Sequence, residues 1–317
     1  MRICNLLLKI KNKLKMKIFL NKINEDWIID RLSLDFKNKF KQNTTNFIIF
    51  SDIIWIIAPW TWKKIPIKYL KSKKVLCSYY HFDFSSFDYD DFNNLDQYVD
   101  EYHVISEKTR NDLINLTDKK ITSIPFWVDE KIFFDISDKE NLRKNYGFTN
   151  EDFIIGSFQR DTEGSDLKSP KLIKGPDRFL EISKKIYEKN KNLKIILSGR
   201  RRQYLIKNFE ENNIPYKLYE MVDTQALNEL YNLLDLYIVT SRIEGGPQAI
   251  IECGLSKTPI ISTDVGVASE ILSVNSIFDG VDFETARADI EYAYKNSLNF
   301  SRDKGLDEFY KMLKKLN

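Results

Sequence analysis

Cysteine and histidine are scarce in this sequence of 317 residues. The three cysteines, Cys4, Cys77 and Cys253, are far apart, and the two histidines are His81 and His103. No pair of cysteines has the spacing of metal ligands, and two histidines exclude a histidine-rich metal site. A few scattered thiols in a long chain are typical of a reducing compartment, so the sequence predicts a cytoplasmic protein.

Long apolar runs and an excess of charge of one sign are also absent. The longest apolar run, 47–60, is interrupted by Ser51 and Asp52 and is too short to span a bilayer. The 49 lysines and arginines nearly balance the 46 aspartates and glutamates, so the bulk charge predicts no affinity for nucleic acid. A chain of this length has room for two domains of ordinary size.

Residues 1–15 form a separate basic segment. Its apolar residues recur at helical spacing and its lysines line the other faces: Ile3, Leu6, Leu7, Ile10 and Leu14, with Lys9, Lys11, Lys13 and Lys15. One interpretation is an interfacial helix held by anionic lipid, which would place the protein peripherally at the inner face of the membrane. The other is a mis-assigned start, because 16–20 is a natural opening strand. The segment lacks the small-residue cleavage site of a signal peptide.

The rest of the chain alternates between strand and helix patterns. Strands are predicted at 16–20, 46–50, 53–58, 74–80, 100–106, 120–124, 152–158, 193–198, 215–219, 234–240, 258–262 and 276–278. Helices are predicted at 27–41, 107–116, 176–190, 200–211, 224–233, 247–255 and 267–272, followed by a helical, charged tail at 283–317. This alternation predicts an α/β fold in which helices cover both faces of parallel sheets.

The most informative stretch follows the predicted strand 234–240. Its acidic, amide and glycine residues are Glu244, Gly245, Gly246, Gln248 and Glu252. The two glycines would let a ligand approach the backbone closely, and the amino end of the following helix would favour a phosphate. Ligands of parallel sheets gather at the carboxyl ends of the strands, where this loop would lie.

The two glutamates would repel a phosphate, so we expect them to accept hydrogen bonds from hydroxyl groups on either side of it. A carboxylate accepts two hydrogen bonds from a vicinal diol, as in the ribose contact of dinucleotide-binding folds. The ligand indicated is a nucleotide sugar, in which a diphosphate joins a sugar to a ribose. The alternative is a pair of solvated surface carboxylates, and the bare spacing does not decide between the two.

The residues around these glutamates resemble a known enzyme family. Two glutamates with seven residues between them are followed by Pro259-Ile-Ile-Ser-Thr-Asp264-Val-Gly266 and Ser269-Glu270-Ile271. This pattern resembles the retaining family-4 glycosyltransferases (glycosyl transferases group 1) of the GT-B fold. The resemblance implies two Rossmann-like domains that face a cleft, with a last helix that crosses back to the first domain. The predicted limits are 1–15 for the extension, 16–134 for the acceptor-side domain, 135–282 for the nucleotide-sugar domain and 283–317 for the helical return.

The resemblance also implies an activity. It is transfer of a sugar from a nucleotide-diphosphate sugar to an acceptor hydroxyl with retention of configuration, without a metal ion or other cofactor, in surface glycan or glycolipid synthesis. The partners implied are the nucleotide sugar and a glycan or lipid-linked acceptor. Glu244 is implied to contact the donor sugar, and Glu252 the ribose diol. A phosphorylase or epimerase of the same fold, or an inactive nucleotide-sugar-binding subunit, are the alternatives.

By the same resemblance, Arg160 and Lys174 hold the diphosphate and stabilise the charge of the leaving group. Arg160 follows a predicted strand, and Lys174 opens the next helix. Their separation exceeds that of the family, since 161–173 is predicted to be an insertion. Lys168 or Lys171 could therefore take the place of Lys174.

Three further places of interest lie at predicted strand ends. Gly199 closes a strand, and of the three arginines that follow it we expect at most one to meet phosphate. Met221 and Val222 occupy the place where members of the family have a turn along the nucleobase. His81 also follows a strand and is implied to lie beside the donor sugar and the acceptor.

The sequence Asp88-Tyr89-Asp90 matches the D-x-D signature of metal-dependent transferases of a different fold. It does not follow a strand directly and lies in a run rich in aspartate, phenylalanine and asparagine. We therefore expect an acidic surface there and predict no metal ligand. His103 lies inside a predicted strand and is expected to be a packing residue.

Overall fold

A computed structural model describes residues 15–21, 28–164 and 167–317. The chain divides into two compact units, Met1–Ile124 with Gly305–Asn317, and Pro125–Lys304. Both interpretations of the basic segment concern residues 1–15, which lie outside the described residues except for Lys15. Among the residues that are described, no helix has both the length and the apolar character needed to cross a bilayer.

The first unit contains one sheet of six parallel strands in the order β2-β1-β3-β4-β5-β6. The strands are β1 (Ile18–Leu20), β2 (Thr44–Thr45), β3 (Ile53–Ile56), β4 (Lys74–Tyr79), β5 (Glu101–Val104) and β6 (Lys120–Ser123). The helices are Ile28–Lys39, Ile67–Leu70, Tyr89–Asp96 and Glu107–Leu113, with 3-10 turns at Lys41–Asn43, Ile48–Phe50 and Pro59–Lys64. Every residue of β3 is buried, which explains why this strand is a continuous apolar and aromatic run in the sequence.

The prediction of a strand at 46–50 is wrong. Pairing at this edge of the sheet ends at Thr45, and Ile48–Phe50 forms a 3-10 turn instead. The backbone N–H and the hydroxyl of Ser51 both donate to Ile48 O, at 3.2 and 2.8 Å, and close the turn. The prediction rested on consecutive apolar residues, whose pattern indicates burial, but most of these side chains are exposed to solvent.

The last helix, Arg302–Leu316, belongs to the first unit from Gly305 onward. Its Phe309 ring packs against Trp55 at 4.3 Å, against Phe36 at 5.8 Å and against His103 at 4.8 Å between ring centroids. The prediction of a final helix that returns to the first domain is therefore confirmed.

The second unit contains a second parallel sheet, in the order β12-β11-β10-β7-β8-β9. The strands are β7 (Phe153–Ser157), β8 (Leu193–Ser198), β9 (Tyr216–Tyr219), β10 (Leu236–Val239), β11 (Ile260–Thr263) and β12 (Ile277–Phe278). The helices are Lys139–Asn145, Pro176–Lys189, Gln203–Glu211, Thr224–Leu233, Gln248–Leu255, Ala268–Ile271 and Ile290–Ser297, with 3-10 turns at Leu172–Lys174, Val274–Ser276, Phe283–Thr285 and Leu298–Phe300. Two α/β units with parallel sheets confirm the predicted fold class.

His103 is part of the core of the first unit. Its Nε2–H donates to Ile124 O at 2.7 Å, and its Nδ1 accepts from the Ser78 hydroxyl at 2.9 Å, which in turn accepts from Trp55 Nε1 at 2.8 Å. Burial lowers the pKa of His103 to about 4, so the ring is neutral at pH 7. The histidine is thus a packing residue, as expected.

The buried histidine predicts a loss of stability in acid. Its pKa is lower in the folded than in the unfolded chain, so between about pH 6.5 and pH 4 the unfolded state binds more protons. The free energy of unfolding should therefore fall by about 2 kcal/mol from pH 7 to pH 5 through this residue. Urea denaturation at both pH values measures the change, and His103→Gln should remove this part of it. An equal pH dependence in both proteins would contradict the assignment.

Candidate active site

The order of the second sheet indicates where a ligand binds. From β7 the chain continues to β8 and β9 on one side and then returns to β10 on the other side. The loops that follow β7 and β10 therefore leave the same edge from neighbouring strands and diverge, which is the usual ligand position in parallel sheets. Arg160 follows β7, and Glu244 lies in the loop that follows β10.

The loop after β10 is fixed to the segment that precedes the helix Pro176–Lys189. The Thr240 hydroxyl donates to Gly175 O at 2.8 Å, and the Arg242 backbone N–H donates to Ile173 O at 2.8 Å. The Arg242 guanidinium forms two hydrogen bonds with Asp177, at 2.8 and 2.6 Å. Gly175 has φ +66°, and a Cβ there would overlap Thr240 O, so this close approach requires glycine.

This attachment brings Lys174 and Glu244 together. The Lys174 ammonium lies 2.5 Å from Glu244 Oε1, and both side chains are largely buried. The Ser241 hydroxyl donates to the same carboxylate oxygen at 3.2 Å, and the Gln159 side-chain amide donates to Lys174 O at 2.8 Å. Two residues predicted for the site, from different loops, are thus in direct contact.

Further positive charge surrounds this pair. Burial, followed by the charges of Arg160 and Lys174, lowers the pKa of Lys171, while Glu163 and Glu244 oppose the shift. Arg160 is held by a hydrogen bond from its Nε to Thr162 O at 2.7 Å. Like charges gathered in this way destabilise one another, and a bound anion would relieve their repulsion. Lys171, which the sequence left as an alternative to Lys174, lies near it.

The glycine turn lies under a second loop. Gly266, after β11, has φ +51°, and a Cβ there would overlap the Gly245 carbonyl group. Gly246 and Pro247 then lead directly to the helix Gln248–Leu255, whose first residue donates through its side-chain amide to Trp127 O at 3.4 Å. The amino end of this helix, with its partial positive charge, therefore starts four residues after Glu244 in the chain.

Glu252 lies on the same helix but in the interior. Its side chain accepts a hydrogen bond from the Tyr231 hydroxyl at 2.8 Å, and both residues are buried. Burial, and then the charge of Glu252, raises the pKa of Tyr231 well above its usual value, so the phenol stays protonated and donates. The sequence did not indicate Tyr231, because an aromatic residue in an amphipathic helix is indistinguishable from any core residue.

Two of the three arginines after Gly199 have contacts that fix their positions. Arg202 is buried with its Nε 3.4 Å from Asp161 Oδ2, so it is a structural residue. Arg201 donates from its guanidinium to Gly164 O at 3.1 Å. Gly199 itself has φ +89°, which allows the sharp turn at the end of β8.

The remaining predicted residues lie at other strand ends. Met221 is exposed and Val222 half-buried in the loop after β9, two strands away from β7. His81 is half-buried and follows β4 in the first unit.

The D-x-D sequence is the start of a helix. The Asp88 side chain accepts from the Asp91 backbone N–H at 2.8 Å and caps the helix Tyr89–Asp96, which was not predicted. The signal was available, because aspartate is common as a cap and in the first turn. Within 15–21, 28–164 and 167–317, no group of three or more histidine, cysteine, aspartate or glutamate side chains is arranged as metal ligands.

Comparison with known proteins identifies the fold. Residues 168–315 match the family described as glycosyl transferases group 1, whereas no curated protein sequence matches the chain. The structure of HepE from Anabaena in complex with UDP-glucose superposes with a TM-score of 0.74 and 13% identity, covering 95% of this chain and 100% of HepE. Sucrose-phosphate synthase from Thermosynechococcus elongatus has a TM-score of 0.69 and 14% identity, covering 93% and 80% of the two chains. The fold is therefore GT-B.

Proposed function

Because residues 168–315 match the glycosyl transferases group 1 family, we propose that the protein transfers a sugar from a nucleotide-diphosphate sugar to an acceptor hydroxyl. The observation that carries the proposal is the contact between Lys174 and Glu244 at the carboxyl end of the second sheet, with Arg160 and Lys171 close by. Cations suit the diphosphate, and a neighbouring carboxylate suits the hydroxyl groups of a sugar.

Binding of the donor would rearrange the central ion pair. In this structure Lys174 neutralises Glu244, so the cation has a partner before the diphosphate arrives. A diphosphate beside Lys174 and Arg160 would compete for the ammonium and release the carboxylate for the donor sugar. The glycines 245 and 246 leave room for the ligand at the backbone, and the amino end of the helix Gln248–Leu255 adds favourable charge.

The chemical step relies on position and charge. Lys174 and Arg160 would stabilise the negative charge that grows on the leaving diphosphate, which is an electrostatic contribution to catalysis. Transfer would proceed with retention and without a metal ion, with the departing phosphate accepting the proton of the acceptor hydroxyl on the same face. The protein then supplies orientation, and no side chain need form a covalent intermediate.

The other predicted contacts complete the donor site. Glu252, oriented by the Tyr231 hydroxyl, would bind the ribose diol, and Gly199, Met221 and Val222 would lie along the nucleobase. His81 would lie beside the donor sugar and the acceptor, which is a glycan or a lipid-linked molecule in surface glycan synthesis. HepE was solved with UDP and with UDP-glucose, so uridine nucleotides are the first ligands to test.

The two glutamates provide the test, because their roles differ. The ribose is remote from the reacting carbon, so its contact should be similar in the ground and transition states, and its loss should raise KM and spare kcat. A hydrogen bond to a charged group is worth about 1.5–3 kcal/mol, so Glu252→Gln should weaken the binding of UDP without its sugar by about tenfold or more. Glu244→Gln should leave UDP binding nearly unchanged and lower kcat, since it contacts the sugar.

Calorimetry with UDP and steady-state kinetics, both in the presence of a chelator, measure these effects. Thermal denaturation of each variant controls for folding, which matters most for the buried Glu252. If both substitutions weakened UDP binding equally, the roles of the two glutamates would be wrongly assigned. Activity that requires manganese after chelation would contradict the metal-free mechanism.

A further inference from the structure

The turn at the edge of the first sheet exposes three large apolar side chains. Phe47, Ile49 and Phe50 are 67, 60 and 68% exposed, and the two phenyl rings lie 6.1 Å apart. We call these three residues the apolar turn. Contiguous exposed apolar groups rimmed by polar residues mark a surface that meets another molecule or a membrane.

The apolar turn is held in a defined conformation. Ser51 closes it through two hydrogen bonds to Ile48 O. The Lys73 ammonium donates to Ile49 O at 3.3 Å and also to Ser51 O. The turn is followed at once by β3, all of whose residues are buried. Exposure of the three side chains is therefore a property of a well-anchored turn.

Lysines lie on the segments next to the apolar turn. The segment from β2 to β3 passes the amino end of β1, where Lys17 O accepts from the backbone N–H of Asp52 at 2.8 Å. Lys17 donates from its ammonium to Gln42 O at 2.8 Å, and Lys15 donates to the Gln42 side chain. Lys41 is exposed on the neighbouring 3-10 turn. The carboxylate of Asp52 accepts from the Lys17 backbone N–H at 2.8 Å.

We propose that the apolar turn inserts into the surface of an anionic lipid bilayer. Exposed apolar side chains of a short turn can enter the boundary between headgroups and acyl chains, while Lys15, Lys17, Lys41 and Lys73 remain at the level of the lipid phosphates. An apolar cluster with neighbouring lysines complements anionic headgroups more closely than it does the core of a protein interface, which is depleted of charged residues.

The position of the apolar turn agrees with such a contact. It lies at the amino ends of β1 and β3, so the carboxyl ends of the first sheet are at the opposite edge and stay accessible. The apolar turn is a site distinct from the basic segment 1–15, and its contribution can be measured separately.

Sedimentation of the full chain with vesicles tests the proposal. Vesicles of phosphatidylcholine with phosphatidylserine should bind the protein, those of phosphatidylcholine alone should bind it much more weakly, and added salt should weaken binding. The triple substitution Phe47→Ser, Ile49→Ser and Phe50→Ser should lower partitioning onto the anionic vesicles by about a hundredfold. Circular dichroism and thermal denaturation should match the unaltered chain, because the substituted side chains are exposed.

A second triple variant is the matched control. Phe134→Ser, Val274→Ser and Leu298→Ser also remove three exposed apolar side chains, all from the second unit, and should leave vesicle binding unchanged. The proposal is overturned if the full chain does not bind anionic vesicles. It is also overturned if the substituted apolar turn binds as well as the unaltered chain, which would assign binding to another segment, or if both triple variants lose binding equally.

Discussion

Lys174→Met is expected to lower kcat for sugar transfer by about a hundredfold to a thousandfold. The Lys174 ammonium lies 2.5 Å from Glu244 Oε1, at the edge of the sheet where Arg160 and Lys171 add positive charge. In the proposed mechanism it stabilises the charge that develops on the leaving diphosphate. That interaction strengthens in the transition state, so the loss should affect kcat more than KM. Steady-state kinetics with the donor, with hydrolysis as the readout if no acceptor is known, measures the effect.

Lys168 and Lys171 supply the comparison. Lys168 is exposed on the insertion, so Lys168→Met should keep nearly all of the activity. Lys171→Met removes a charge near Lys174 and should weaken nucleotide binding with a smaller effect on kcat. If Lys168→Met lost kcat while Lys174→Met retained it, the assignment of the diphosphate contact would be incorrect.

Asp161→Ala is expected to destabilise the second unit by about 3–5 kcal/mol. Arg202 is 1% exposed and its Nε lies 3.4 Å from Asp161 Oδ2, so removal of the carboxylate leaves a buried guanidinium without its counter-charge. Burial lowers the pKa of Arg202 to about 10 and raises the pKa of Asp161 to about 6. Each charge is thus costly to bury, and each depends on the other. Urea denaturation followed by circular dichroism measures the loss.

The double variant Asp161→Ala with Arg202→Met separates the ion pair from other contacts. Asp161 also accepts from the backbone N–H groups of Tyr204 and Leu205, both at 3.3 Å, at the start of the helix Gln203–Glu211. If the buried charge causes the instability, the double variant should be more stable than Asp161→Ala alone, since no charge remains in the interior. If the double variant were as unstable as Asp161→Ala, the loss of stability would come from the lost hydrogen bonds at the start of the helix instead.

Local patterns in the sequence were sufficient for many of the regular elements. The limits predicted for β8 and for the helix Thr224–Leu233 agree with the structure to the residue. Both elements bury a continuous or periodic apolar set, and burial imposes the spacing that a sequence displays. The same reasoning failed at 46–50, because an apolar run indicates burial only if a neighbouring element covers it.

The sequence by itself determined the α/β alternation, the two glutamates that flank a glycine turn, and the basic residues that follow β7. These features are local, since each depends on residues that are close along the chain. The tertiary structure alone decided which of them meet. Lys174 contacts Glu244, Glu252 accepts from Tyr231, and Arg202 pairs with Asp161 because strand order and loop anchoring bring distant segments together. β10 lies beside β7 although three helices and two strands separate them in the chain, and no periodicity in the sequence specifies that neighbour.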